Sequence, residues 1–349
     1  MSIKVFLGIL TCLLSATGTF GQGFAGLGTD ADGFKKVVPG REFSFPGDYG
    51  IHEGFRIEWW YITANLRSES GKSIGLQWTL FRQANSPVQK PGAWSSSEFW
   101  MGHAAITTAD KHLYAEKLAR GGSGQAGARD SSIDVWIDDW VFRADSENKL
   151  SLAAAGQGFS YSLSLHPSAQ EILHGQDGFS VKSEQGQASY YFSHPFLKAS
   201  GQVAIDGEVF RVTGDAWLDR EWSSQPLADN QKGWDWFSIK FEDGNRLMAF
   251  SLRDVLGASY VSGSWIAKDG AVTPLTSEDI QLNPVARSRV ADRRVPTAWR
   301  VTLSSRKIEL EISALNPDSW MATSIPYWEG PVRVSGSHEA TGYLEMTGY

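Results

Sequence analysis

Cysteine is almost missing from this chain of 349 residues. The single one, Cys12, lies in an apolar stretch near the start, so the rest has no disulfide, no thiolate nucleophile and no cysteine-based metal site. Histidine is sparse as well. The 7 residues, at positions 52, 103, 112, 166, 174, 194 and 338, fall nowhere at zinc-ligand spacing. There is no G-x-S-x-G elbow and no phosphate-binding P-loop. Charged residues make up only 20%, the net charge is −7 and no basic block occurs, which argues against a nucleic-acid partner. No long stretch carries the 3.6-residue period of an amphipathic helix.

The one apolar run of note, Val5 to Leu14, is broken by Gly8, Thr11 and Cys12 and is too short for a good membrane span. With Lys4 before it and the small residues Ala16, Gly18 and Gly21 after it, residues 1–21 read as an export signal. The expected location is periplasmic or secreted. A lipid anchor at Cys12 is not expected, because Thr11 precedes it and the apolar run ahead of it is short. An exported chain without disulfides must rest on its hydrophobic core.

What the chain does have is tryptophan, 15 residues, with 36 glycines and 42% hydrophobic residues. Gly-rich turns between short alternating runs indicate an all-β chain. Ile57 to Leu66 and Ile74 to Arg82 read as a first hairpin, Phe99 to Thr107 as a third strand, and Phe159 to His166 alternates strictly. Asp206-Gly207 makes a hairpin turn. A second strand series starts at Trp234. Pro39 to Gly50 mixes turn residues with aromatics, as a strap over a barrel mouth would, and Arg287 to Arg294 reads as a solvated basic loop. Glu58-Trp59-Trp60 opens a hairpin ending in Arg82, and Asp235-Trp236-Phe237 opens one ending in Arg253. Two similar β units in series account for this. The expected division is 22–226 and 227–349.

Trp217 to Phe241 concentrates the chemistry. Four tryptophans stand there beside Asp219, Arg220, Glu221, Asp229, Lys232 and Asp235. A carboxylate among indoles either pairs with a cation or has its pKa raised, and a raised carboxyl is a proton donor near neutral pH. The candidate proton carriers are Asp219, Glu221, Asp235, Glu58 and His103. Candidate ligand contacts are Trp60, Tyr61, Trp222, Trp234, Trp236 and Arg220, whose rings can bury an apolar ligand or shelter a cation. The structural alternative is that Arg82, Arg220 and Arg253 neutralise the acids while the indoles fill the barrel ends. For Glu58 the two readings are evenly matched. No metal and no cofactor is expected.

E-W-W-Y after H-E-G-F-R, then W-L-D-R-E-W, G-W-D-W-F-S, Y-W-E-G-P-V-R-V-S-G and G-Y-L-E-M-T-G-Y resemble the AttH-like secreted proteins of the carotenoid 1,2-hydratase superfamily over roughly residues 40–349. The resemblance implies two lipocalin-like (calycin) antiparallel β-barrels in tandem, with a pocket near their junction. It implies an apolar small molecule as partner (isoprenoid, lipid or polyketide-like), with membrane-surface association and oligomeric state left open. Family activities include hydration of carotenoids and of a plant isoflavonoid and guidance of cycloadditions, while many secreted bacterial members are called predicted hydrolases. The hydratase chemistry it implies uses acids and a His in the segment matching Asp219 to Trp222, where this chain has Arg220. A carrier without turnover is the other function the pattern allows.

Overall fold

The computed structural model describes residues 31–88, 95–130, 132–145, 147 and 149–349. The export signal and Cys12 lie outside the described residues. Among these residues Gly47–Tyr49 and Ser304–Arg306 form short 3-10 turns, no helix longer than these occurs, and the regular structure is otherwise almost all strand.

The first sheet is antiparallel throughout. Four strands pair in succession: β1 (Ile57–Ser68), β2 (Ser73–Ala84), β3 (Glu98–Thr107) and β4 (His112–Arg120). Five more follow as β5 (Ala126–Ala128), β6 (Asp134–Ile137), β7 (Trp140–Ala144), β8 (Leu150–Gly156) and β9 (Phe159–Pro167). Two stubs, β10 (Ile172–Leu173) and β11 (Phe179–Val181), lie against β12 (Ala188–Ile205). β12 turns through Asp206-Gly207 into β13 (Glu208–Ser223); both turn residues take positive φ, as this hairpin type requires. β13 then pairs with β1, and the order across the sheet is β4-β3-β2-β1-β13-β12-β9-β8-β7-β6-β5. The sheet curls until β4 approaches β6 and β8.

The second sheet repeats the circuit. Its strands are β14 (Gln231–Phe241), β15 (Arg246–Asp254), β16 (Tyr260–Ile266), β17 (Val272–Thr276), β18 (Ile280–Val290), β19 (Arg293–Leu303), β20 (Ile308–Ala314), β21 (Trp320–Met321), β22 (Tyr327–Gly336) and β23 (Ala340–Thr347). The order is β17-β16-β15-β14-β23-β22-β20-β19-β18, so the opening strand again sits mid-sheet beside the closing one. The chain is thus all-β, two lipocalin-like barrels in tandem. The basic stretch Arg287 to Arg294 is no loop: it is the β18–β19 hairpin, with Arg287, Arg289 and Arg294 exposed and Arg293 half-buried 4.8 Å from the Trp320 ring, while Val290, Val295 and Trp299 fill the second core.

Period-2 alternation divides each strand between two environments. Trp60, Ile62 and Ala64 of β1 and Leu218 and Trp222 of β13 fill the first barrel. The strap through Phe43 and Tyr49 closes one end of it, Phe43 packing 5.7 Å from Trp222 and Tyr49 5.1 Å from Phe192. Phe237, Ile239, Leu344 and Met346 fill the second barrel. The intervening residues face outward, and there the barrels meet: Tyr61, Tyr191 and Trp217 of the first pack with Trp236, Met248, Phe250 and Tyr343 of the second. Gly75 lets this approach happen, since a Cβ there would collide with Pro331 of the other barrel.

Candidate functional site

A cleft opens between the outer faces of the two barrels, with an empty volume of about 750 Å³ including solvent at its mouth. Trp59 and Tyr61 of β1, Tyr191 of β12, and Asp219 and Glu221 of β13 form one wall. Trp234 and Trp236 of β14, Phe250 and Leu252 of β15, and Glu345 of β23 form the other. The register dictates this grouping. Trp59 stands directly across from Glu221, Tyr61 from Asp219, and Trp236 from Glu345.

Three carboxyls therefore enter a largely aromatic space. Burial pushes Asp219 up to about 7. Both its oxygens are engaged: Tyr191 Oη donates to Oδ2 at 2.6 Å, while Ser193 Oγ and Trp217 Nε1 donate to Oδ1. Ser193 is in turn joined to His174 Nε2 at 2.6 Å, and His174 Nδ1 to Ser264 Oγ across the barrel interface at 2.9 Å. Burial, with Asp219 and Glu221 close by, pushes Glu345 up to about 8. Trp234 Nε1 donates to its Oε1 at 3.1 Å; its other oxygen has no hydrogen bond among the described residues. Glu221 is ion-paired, with Lys182 Nζ 2.9 Å from it. Behind the wall a fourth acid, Glu329, faces Glu345 across β22 and β23 and accepts from Tyr61 Oη at 2.6 Å. Burial, then the charge of Glu345, holds Glu329 well above the usual carboxylate range.

A model of the AttH-like family matches residues 36–349. The chain belongs to the AttH-like family. Among solved structures similar to this AttH-like chain is a protein assigned as AttH from Nitrosomonas europaea. It is 34% identical, covers 90% of this chain and 99% of its own, and has a TM-score of 0.82. Kievitone hydratase from Nectria haematococca is 13% identical, with coverage of 90% and 96% and a TM-score of 0.68. CghA, solved with Sch210972, is 12% identical, with coverage of 92% and 97% and a TM-score of 0.54. A search of curated proteins returns no match.

In this AttH-like chain, Asp219, Glu221, Tyr61, Trp234 and Trp236 come together in the cleft. The other candidates do not. Glu58, Trp60, Arg220 and Trp222 are one residue out of phase with the cleft-facing set and point into the first barrel. Glu58 lies 2.9 Å from Arg82 and also pairs with Arg220. Burial alone would raise its pKa, but Arg220, His52 and Arg82 hold it well below the usual range. The Arg220 guanidinium lies 3.8 Å from the centre of Trp60, and His52 stacks on Trp222 at 3.7 Å. The position where the resemblance puts a His thus faces away from the cleft. Asp235 sits between Trp234 and Trp236 in sequence, so it points the other way, to Arg253 at 2.6 Å and Tyr349 Oη at 2.9 Å. Each barrel's acid therefore pairs with the arginine ending its hairpin. His103 is fully buried at the interface, 3.0 Å from Tyr327 Oη and 3.1 Å from Glu116, and burial lowers its pKa. Beside it lies Phe81, whose ring is 5.7 Å away and lines the cleft.

Sequence reading missed Glu345, Glu329, Tyr191, Trp59 and Lys182. The signal for the two glutamates was present: each is a lone acid in an otherwise apolar alternating strand, Y-W-E-G and Y-L-E-M.

Proposed function

We propose that this is an exported protein that takes an apolar small molecule into the cleft between its barrels and protonates it there, adding water to, or shifting, a carbon–carbon double bond. The observation that carries the reading is Glu345: a carboxyl pushed up to about 8, facing an aromatic cleft, with one oxygen engaged by Trp234 and the other without a hydrogen bond among the described residues. Such a group is protonated at neutral pH and is a general acid there. In the step proposed, the Glu345 O–H bond breaks, a C–H bond forms on the alkene and the adjacent carbon becomes cationic. The faces of Trp234 and Trp236 and the new carboxylate stabilise that charge. A water then forms the C–O bond and its proton returns to Glu345. Loss of a neighbouring carbon's proton instead gives the isomer. Asp219, with both oxygens occupied, orders Tyr191, and Trp236 Nε1 donates to that phenol at 3.1 Å. The name of kievitone hydratase, which shares the fold, supports hydration as the reaction class.

One observation favours a second reading, a carrier without turnover: the lining is chiefly rings and aliphatic groups, and its charged pair, Lys182–Glu221, is already closed. The two separate in one experiment. The protein is purified from its own host, extracted with solvent for bound molecules, and incubated with the recovered compound in deuterated heavy-oxygen water, where hydration leaves both heavy oxygen and carbon-bound deuterium and a double-bond shift leaves deuterium alone. Label in the product of wild type, absent in Glu345→Gln, supports the enzyme. A retained compound without label supports the carrier. No retained compound and no label defeats both.

A further inference from the structure

The cleft has an uneven charge inventory. Asp219, Glu221 and Glu345 face it, Glu329 stands behind Tyr61, and among the described lining residues Lys182 is the one cation. Lys182 is not available to a ligand, because it is ion-paired with Glu221 at 2.9 Å. The arginines nearest in sequence, Arg220 and Arg253, point away and are paired with Glu58 and Asp235. The remaining ionisable neighbours are neutral near pH 7: burial pushes Tyr61, Tyr191 and Tyr343 up and His174 down to about 3.

The cleft also holds one ammonium already. Lys182 Nζ lies 4.7 Å from the ring centre of Tyr191 and 4.4 Å from that of Phe250, against the Glu221 carboxylate. Aromatic faces backed by a carboxylate are the usual surroundings of a bound ammonium. The same elements recur beside it, with no cation placed against them among the described residues: Trp236 with Glu345, and Tyr61 and Trp59 with Asp219. Glu345 is only 9% exposed, and its second oxygen has no hydrogen-bond partner among the described residues.

We propose that the cleft selects its ligand by charge, taking an apolar molecule whose polar end is cationic, such as an amine held as its ammonium, over the same body ending in a carboxylate. This rests on the reading above that the cleft is the ligand site. It adds that the ligand class is amine-bearing or neutral and excludes fatty acids. The ammonium is the stable counterpart of the cation that protonation of an alkene would form. It binds the ionised acids, so binding drives a proton off Glu345 or Asp219.

Three probes with one tail test this: decyltrimethylammonium, decanol and decanoate, titrated below micelle formation and read by calorimetry. The first two heads do not titrate, and decanoate is ionised at both pH values used. At pH 9 the ammonium should bind at least about tenfold more tightly than decanoate. Lowering the pH to 6 should weaken the ammonium by at least about tenfold, because affinity coupled to one proton changes about tenfold per pH unit below the acid's pKa. Decanol should be indifferent to pH. In Glu345→Gln, and further in Glu345→Gln with Asp219→Asn, the pH step for the ammonium should shrink. Decanoate binding as tightly as the ammonium at pH 9 overturns charge selection and leaves the cleft as a ligand site. An undiminished pH step in both variants also overturns it. No binding by any probe overturns this inference together with the reading it rests on.

Discussion

Replacing Glu345 by Gln should stabilise the protein in alkaline solution and change little in acid. In the unfolded chain the group titrates near its ordinary value of 4.5; in the folded protein it titrates near 8. Below pH 4.5 both states hold the proton and neither is favoured. Between those values the folded state keeps a proton that the unfolded state has released, so stability falls progressively as pH rises from about 4.5 to about 8 and the loss is complete above the folded value. The two values lie about 3.5 pH units apart, which corresponds to about 5 kcal/mol at full linkage. Relaxation and water entry into an open cleft reduce this, and roughly 2–3 kcal/mol is the expected effect. Gln cannot ionise, and its carbonyl still accepts from the Trp234 indole, so it avoids the loss without leaving that donor bare. Urea unfolding at pH 5 and pH 9 is the assay. The variant should match wild type at pH 5 and exceed it at pH 9, with a melting temperature several degrees higher. A variant weakened equally at both pH values would mean that Glu345 is ionised in the fold, and the argument for a neutral acid in the cleft would collapse.

Glu58→Gln should cost about 3–5 kcal/mol at pH 7, since it leaves Arg220 buried with an uncharged partner while Arg82 keeps Glu98 at 2.6 Å, and probe binding in the folded fraction stays unchanged. Loss of probe binding without loss of stability would place Glu58 at the cleft after all. Asp235→Asn should behave in the same way, costing roughly 3 kcal/mol in chemical unfolding through the broken Arg253 pair and sparing the ligand. Gly75→Ala should lower stability by about 1–3 kcal/mol by forcing Pro331 and the second barrel away, as unfolding midpoints will show; a neutral effect would mean the barrels are not in tight contact there.

The two β series and the tryptophan-rich joint between them were legible because turn signals and alternation are local. The same locality set the limit on the site. Asp219, Arg220 and Glu221 are neighbours in sequence, as are Trp234, Asp235 and Trp236, and reading them as clusters ignores that a strand sends adjacent side chains to opposite faces. Alternation alone separates them, but which set faces the partner barrel depends on where β1 meets β13 and β14 meets β23. Glu345 joins Trp236 through pairing over more than a hundred residues, beyond the reach of any window. The Arg287 to Arg294 stretch misled for a related reason: three exposed arginines, with Arg293 lying over Trp320, hid the apolar inner side of the hairpin. The repeated acid and terminal arginine marked a structural pair in each barrel, so the repeat was real evidence about architecture and none about chemistry.

The opening strand of each barrel has its closing strand as a permanent neighbour, and this sets an order of events during synthesis. β1 can pair with β2 across a short turn as soon as both emerge, yet its other edge stays open until β13 is made, Ile57 meeting Ser223. β14 waits in the same way for β23. Such long-range closures are slow compared with hairpin formation, and an open edge beside Trp59 and Tyr61 is exposed in the interval. The cleft inherits both delays. Tyr61 meets Asp219 only when the first barrel closes, and Trp236 meets Glu345 only when the second does. A ligand therefore has nothing to bind on a partly made chain, and capture becomes the last event of folding rather than a guide to it.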